Sequence, residues 1–255
     1  MNKLNKKVLG VIPARIGSTR IPEKMLADIA GKPLIQHTIE RTLKAELLDH
    51  LIVWTDSKDI AHIAESLGVQ VHLTSSELST GTDQVIETAK QFKGFNPEIV
   101  VNIWGDEPMY PASAIDDCIK ELQKDKTLAV SLAGDKITDE SMLREPSIVQ
   151  VLTDINNNVL FFSRAPIPYQ YTDYHYDDHY HVIGVMAMRR DFVDSFAGLH
   201  RTPIEMAEGV EQLRILEHGY RMRLVKGEYN NLGVNTPEEL EIVRQIYSSK
   251  RKDTQ

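Results

Sequence analysis

Val8-Leu9-Gly10-Val11-Ile12-Pro13-Ala14-Arg15-Ile16-Gly17-Ser18-Thr19-Arg20-Ile21-Pro22-Glu23-Lys24 joins two physically opposite pieces of chain. Its first five residues are a short apolar run, the pattern of a strand buried on both faces. The remainder is a loop with three cations, a glycine and two hydroxyl side chains. Loops that leave the carboxyl ends of strands are where open α/β sheets bind ligands. Gly17 and Ser18 let backbone N–H groups approach an anion, and Arg15, Arg20 and Lys24 supply charge-assisted hydrogen bonds. The segment reads as a polyphosphate cradle; a solvated basic loop is the plainer alternative. It belongs to neither familiar phosphate-loop type, because Gly31-Lys32 lacks an upstream glycine and runs into Pro33, and no G-x-G-x-x-G occurs.

Outward from this stretch, apolar runs alternate with amphipathic ones. Leu34 to Leu47 sets Leu34, Ile35, Thr38, Ile39, Thr42 and Leu43 at helical spacing. Strands follow at Leu51 to Trp54, Val69 to Leu73 and Ile99 to Trp104, with helices at Asp59 to Leu67, Asp83 to Phe92 and Ala112 to Leu122. Such alternation predicts an α/β fold, an open and mostly parallel sheet with helices on both faces. The middle breaks the rhythm. Ile148 to Thr153 and Val159 to Ser163 flank the turn-rich Asp154-Ile155-Asn156-Asn157-Asn158 and predict a hairpin. A strand at His181 to Met188 and helices at Asp191 to Phe196, Ile204 to Glu217 and Pro237 to Tyr247 complete the reading. A single domain is expected over 1–248, with a hairpin subregion at roughly 145–190 and a frayed polar tail at 249–255.

Composition narrows the partners. Lys and Arg total 29 against 37 Asp and Glu, a net charge of −8 in 255 residues. A general nucleic-acid binder needs surplus cation, so none is expected here. The single cysteine, Cys118, rules out a disulfide framework and a thiolate metal cluster and suits a reducing compartment. No apolar run approaches the roughly 20 residues of a membrane span, and the run after the basic start is too short for a secretory signal. The expected location is the cytoplasm, with no membrane partner.

Asp106 carries chemistry of its own. It leaves the carboxyl end of the apolar run Val100 to Trp104, on the rim where the cationic loop emerges. A lone carboxylate there can hold Mg²⁺, which binds through one or two carboxylates plus substrate phosphates; a turn aspartate before Pro108 is the plainer alternative. Residues 169–181 hold five tyrosines and three histidines. They read as a loop over a pocket or a subunit contact, since tyrosine suits interfaces. His175 and His179, spaced i, i+4 beside Asp178, also allow a transition metal, though no helix pattern frames them.

These blocks resemble the sugar-acid cytidylyltransferases, most nearly the 3-deoxy-manno-octulosonate branch. The likeness runs through Ile12-Pro13-Ala14-Arg15 to Lys24, Gly31-Lys32-Pro33-Leu34-Ile35, Thr80-Gly81-Thr82-Asp83, Gly105-Asp106-Glu107-Pro108, Phe162-Ser163-Arg164, Glu211-Gln212-Leu213-Arg214 and Gly233-Val234-Asn235-Thr236-Pro237-Glu238. It implies a nucleotide-diphospho-sugar transferase fold whose hairpin serves dimerisation or the acceptor, a homodimer, and use of CTP and Mg²⁺ to activate a small acidic acceptor. Carried over to this chain, it makes Arg15, Arg20, Lys24 and Asp106 catalytic. Pro13, Ala14, Arg15, Gly17, Ser18, Thr80, Gly81, Thr82 and Gln84 would border the nucleotide. Trp104, Arg164, Met186, Glu211 and Gln212 would border the acceptor, and Asp106 and Asn235 would hold the metal.

Departures from the family pattern cluster on the acceptor side. Asn235 stands where the family has a metal-binding Asp, Trp104 where it has Gln, Gln84 for Arg and Gln150 for Lys. Val182 and Met186 replace His and Tyr, and His181 lies one place away. The triphosphate half is kept and the acceptor half rewritten. The expected reaction is transfer of CMP to 3-deoxy-manno-octulosonate or a related acid, with pyrophosphate released. A phosphonate or phosphorylated acceptor, another base, or a nucleotide-binding homologue with impaired catalysis are the alternatives.

Overall fold

The computed structural model describes residues 7–18, 20–74, 81–92, 95–173, 176–196 and 198–252. Alternation along β1 (Val8–Pro13) sets the layering: Val8 and Ile12 enter one apolar core, while Leu9 and Val11 enter a second on the opposite face. A strand buried on both sides needs helices above and below it. A two-residue pair, β2 (Asp28–Ile29) and β3 (Lys32–Pro33), leads into α1 (Leu34–Thr42). Next come β4 (His50–Thr55), α2 (Lys58–Ser66), β5 (Gln70–Leu73), α3 (Gly81–Gln91), β6 (Ile99–Ile103) and α4 (Ala112–Lys124). Then follow β7 (Val130–Lys136), β8 (Gln150–Thr153), β9 (Val159–Ser163), β10 (Tyr180–Arg189) and α5 (Arg190–Phe196). The chain closes with α6 (Pro203–Glu208), α7 (Gln212–Glu217), β11 (Met222–Gly227) and α8 (Pro237–Lys252).

The main sheet runs β11-β7-β10-β6-β1-β4-β5, with the β8–β9 hairpin joined to the start of β10. All of its strands but β9 and β10 share one direction, since β1 is parallel to β4 and β6, β5 to β4 and β11 to β7, while β10 opposes β6, β7 and β8. The expected mostly parallel sheet with its hairpin is therefore present. Gly105 brings the carboxyl ends of β1 and β6 together: a Cβ there would lie 3.0 Å from the Pro13 carbonyl oxygen. That close approach sets the cationic loop beside the Asp106 turn.

Two expectations need correction, and two strands were not expected. Ile204 to Glu217 is two short helices, because Gly209 ends α6 in the left-handed region (φ 63°), where glycine alone is unstrained. Residues 249–252 belong to α8 rather than a frayed tail. β7 and β11 had no counterpart in the sequence reading. β7 is rich in small residues and buries Asp135, while β11 interleaves Arg223 and Lys226 with its apolar side chains, so neither offers a clean strand pattern.

Candidate active site

A cleft of about 620 Å³ opens at the carboxyl ends of β1 and β6. The loop after β1 forms one wall through Arg15, Gly17, Ser18, Arg20 and Lys24. Two bonds shape it: the Ile16 N–H donates to the Asp56 carboxylate at 2.9 Å, and the Ile21 N–H to Ser18 Oγ at 3.4 Å. Arg20 is exposed at the mouth, and a Cβ on Gly17 would meet no protein atom within 4 Å, so this backbone faces the cleft. With its amide oxygen turned inward, the buried Gln84 accepts from Nε of Arg15 and, at 2.8 Å, from Nη2. Helix α3 thus aims the arginine.

The opposite wall is the turn after β6. Lys24 Nζ donates to Asp106 Oδ2 at 2.5 Å and to the Val234 carbonyl at 2.9 Å. Asp106 Oδ1 makes no protein hydrogen bond among the described residues. The Val234 N–H donates to the Asp106 carbonyl at 2.9 Å, which brings Asn235 to the same wall. Behind it, Glu239 accepts from the Asn235 and Thr236 N–H groups at 2.5 and 3.0 Å, and Thr236 Oγ1 accepts from the Glu239 N–H at 3.2 Å. This reciprocal cap, with Pro237 next, starts α8 and fixes the loop.

Trp104, Gln212 and Glu211 also line the cleft, and Glu211 Oε2 accepts from Thr82 Oγ1 at 2.5 Å. Met186 and Ala14 do not line the cleft, contrary to expectation. Met186 is buried in the core between the sheet and α3, α5 and α7, and Ala14 is buried with its N–H donating to the Trp54 carbonyl at 2.8 Å. Thr80 and His175 lie outside the described residues. Asp178, beside His179, forms an ion pair with Lys226 at 2.5 Å.

Arg164 lines the cleft, but each nitrogen of its guanidinium already donates to a backbone carbonyl. Nε, Nη1 and Nη2 donate to the carbonyls of Glu208, Pro146 and Gly209 at 3.0, 2.6 and 3.3 Å. It therefore staples the loop before β8 to the end of α6, rather than offering a free fork to a carboxylate. Arg164→Lys keeps the charge and loses the fork, so it should cost about 1–3 kcal/mol of stability in urea melts, and Arg164→Ala should cost as much. Full stability with lost acceptor binding would restore the carboxylate clamp. Gln150 is spent similarly, donating through Nε2 to the Leu143 and Ala165 carbonyls at 2.8 and 3.2 Å.

Sequence reasoning passed over Glu107, Asn102 and Asn231, all of which line the cleft. Glu107 is buried, and burial, with Asp106 adding to it, pushes its pKa up to about 8 against the opposing Gly184 and Asn231 hydrogen bonds. His181 also lines the cleft, and burial holds its imidazole below the ordinary value, against the pull of Asp135. Native His181 stays neutral where the unfolded chain binds a proton, so stability falls as pH drops below about 6.5. His181→Gln should flatten that acid limb in urea melts between about pH 6.5 and 5; an unchanged slope would contradict the neutral assignment.

The comparisons with known proteins agree with this geometry. A family model described as cytidylyltransferase matches residues 9–225. The 3-deoxy-manno-octulosonate cytidylyltransferase of Solibacter usitatus is 39% identical over 244 residues, 96% of each chain. That of Geotalea uraniireducens is 40% identical over 248 residues, 93% of this chain and 97% of the relative. A solved CMP:2-keto-3-deoxy-manno-octonic acid synthetase complexed with CTP superposes with a TM-score of 0.88 at 32% identity, over 96% of this chain and 99% of the other. Sequence and fold coincide along nearly the whole length, and the chain belongs to the cytidylyltransferase family, within its 3-deoxy-manno-octulosonate branch.

Proposed function

We propose that this enzyme transfers CMP from CTP to 3-deoxy-manno-octulosonate or a closely related sugar acid and releases pyrophosphate. One observation carries the reading: three cations of the β1 loop and the Asp106 carboxylate share one cleft, in a fold that a relative shows with CTP bound. An acceptor hydroxyl oxygen forms the new bond to the α-phosphorus. The bond from that phosphorus to the α,β-bridging oxygen breaks, pyrophosphate leaves with the electron pair, and the hydroxyl proton is lost. The protein's part is positioning and charge stabilisation. Arg15, Arg20 and Lys24, with the N–H groups of Gly17 and Ser18, would grip the triphosphate. Pro13, Gly81, Thr82 and Gln84 would border the nucleoside, and Trp104, Glu211 and Gln212 the acceptor.

The donor set fits Mg²⁺. The ion takes hard oxygen ligands, few of them from protein, with water and phosphate completing an octahedron. Asp106, with Oδ1 uncommitted, and the Asn235 amide on the same wall would hold it. When bound, it supplies Lewis acidity to the phosphate and the attacking oxygen. The exposed Tyr169 and Tyr171, at 84% and 88%, suit the interface of a homodimer, which light scattering would register.

The test is a pyrophosphate-release screen crossing CTP, UTP and ATP with sugar acids, phosphonates and phosphorylated acceptors. Turnover with CTP, Mg²⁺ and 3-deoxy-manno-octulosonate is expected. Release with no combination overturns the reading; release with another base or acceptor class corrects it.

A further inference from the structure

Glu107 sits next to Asp106, yet among the described residues its side chain forms no ion pair with a cation of the β1 loop and bonds instead to Gly184 and Asn231. Its Oε2 accepts from the Gly184 N–H at 2.7 Å and from Asn231 Nδ2 at 2.6 Å. The Gly184 carbonyl in turn accepts from the Trp104 N–H at 2.8 Å. Both polar groups of Gly184 are therefore held by the 104–107 turn. This happens where β10 slips its register against β7, between Val182 and Met186, so Glu107 satisfies an N–H at a break in the ladder. The fit leaves no slack: a Cβ on Gly184 would stand 2.7 Å from Trp104 Cβ and 2.8 Å from Glu107 Cδ.

The second bond reaches the segment that carries Asn235. That segment hangs on carboxylate and carbonyl acceptors. Asp135 accepts from the Tyr229 and Asn231 N–H groups at 2.6 and 2.7 Å, Glu107 from the Asn231 side chain, and the Asp106 carbonyl from the Val234 N–H. Gly233 passes close over Glu107, where a Cβ would lie 3.2 Å from Cγ. Without Glu107, the stretch from Asn231 to Val234 would keep the bonds to Asp135, Asp106 and Lys24 and lose the side-chain bond at Asn231 and the packing under Gly233.

We infer that Glu107 is a positioning residue, one that props the 231–235 loop against the Asp106 turn so that the Asn235 amide and the Val234 carbonyl meet the nucleotide-bearing wall. Its work is geometric, through one acceptor oxygen that serves two donors. Glutamine offers the same acceptor in the same place, whereas alanine offers none. The inference rests on the cleft being the CTP site.

The experiment compares Glu107→Gln, Glu107→Ala, Asn231→Ala and the double variant Glu107→Ala/Asn231→Ala. Calorimetry would titrate CTP into each with and without Mg²⁺, beside KM and kcat and a thermal melt. Glu107→Ala should weaken CTP binding in the presence of Mg²⁺ at least tenfold and affect CTP alone much less. Glu107→Gln should recover most of the loss. Asn231→Ala, a milder change in a loop, should reproduce part of the defect, and the double variant should lose no more than Glu107→Ala. A folded Glu107→Ala with unaltered Mg²⁺-dependent binding overturns the inference. So does a Gln variant as impaired as Ala, or strict additivity of the two alanine changes. If Glu107→Ala fails to fold, Asn231→Ala binding like wild type overturns it too. Wild-type protein that binds no CTP would instead refute the functional reading, a distinguishable result.

Discussion

Replacing Lys24 with alanine should lower kcat/KM for pyrophosphate release by roughly 100- to 1,000-fold, the range seen on removing one preorganised group that stabilises developing charge. The size follows from how the ammonium is held. Its side chain is only 13% exposed, and two acceptors, Asp106 Oδ2 and the Val234 carbonyl, fix Nζ between the cleft walls. A cation aimed in advance loses little on meeting a departing phosphate, unlike one recruited from solvent. Arg20, exposed at the mouth, should cost less when replaced, because water can substitute. Stability should change little beside activity, since a part-exposed ion pair contributes about 0–1 kcal/mol. The check is steady-state kinetics beside a urea melt. A Lys24→Ala enzyme within fivefold of wild type would remove the lysine from the mechanism.

The loop that holds Lys24 was legible because its signal is a contrast. A buried apolar run ends and cations begin, so Arg15, Gly17, Ser18, Arg20 and Lys24 declare a wall before any fold is known. Asp106 was legible for the same reason, one turn past an apolar strand. Glu107 was not. Its chemistry depends on Gly184 and Asn231, which lie 77 and 124 residues away, and adjacency to a known motif gives no hint of direction. Arg164 shows the converse. The family motif sets Arg164 beside the acceptor, but three carbonyls take one donor from each of its nitrogens, and carbonyl positions are a property of the folded backbone. In the same way Gly209 sits within an apparent helical period that only its left-handed conformation interrupts. Local composition thus identifies walls, while the braces behind them arise from pairings across the chain.

The sharpest test of the opposite wall is Asp106→Asn. The amide is nearly isosteric and can still accept from Lys24, so the fold and the Lys24 bond should persist while one negative charge disappears. A Mg²⁺ held as proposed would draw its affinity from few protein oxygens, and Asn235 would contribute none of the charge. Removing the carboxylate leaves two neutral amides facing a divalent cation, so kcat should fall on the order of 100- to 1,000-fold and half-saturation should require far more Mg²⁺. Asn235→Asp changes the same balance in the other direction, adding a carboxylate beside Asp106. It should lower the Mg²⁺ needed for half-saturation. Two titrations therefore bracket the site: Mg²⁺ dependence at saturating CTP for each variant, with a melt as the control for folding. Should Asp106→Asn keep wild-type turnover at every Mg²⁺ concentration, the carboxylate is not the metal's anchor and belongs to Lys24 alone. Should both variants shift Mg²⁺ dependence in the same direction, charge is not what the wall supplies, and shape would have to take its place.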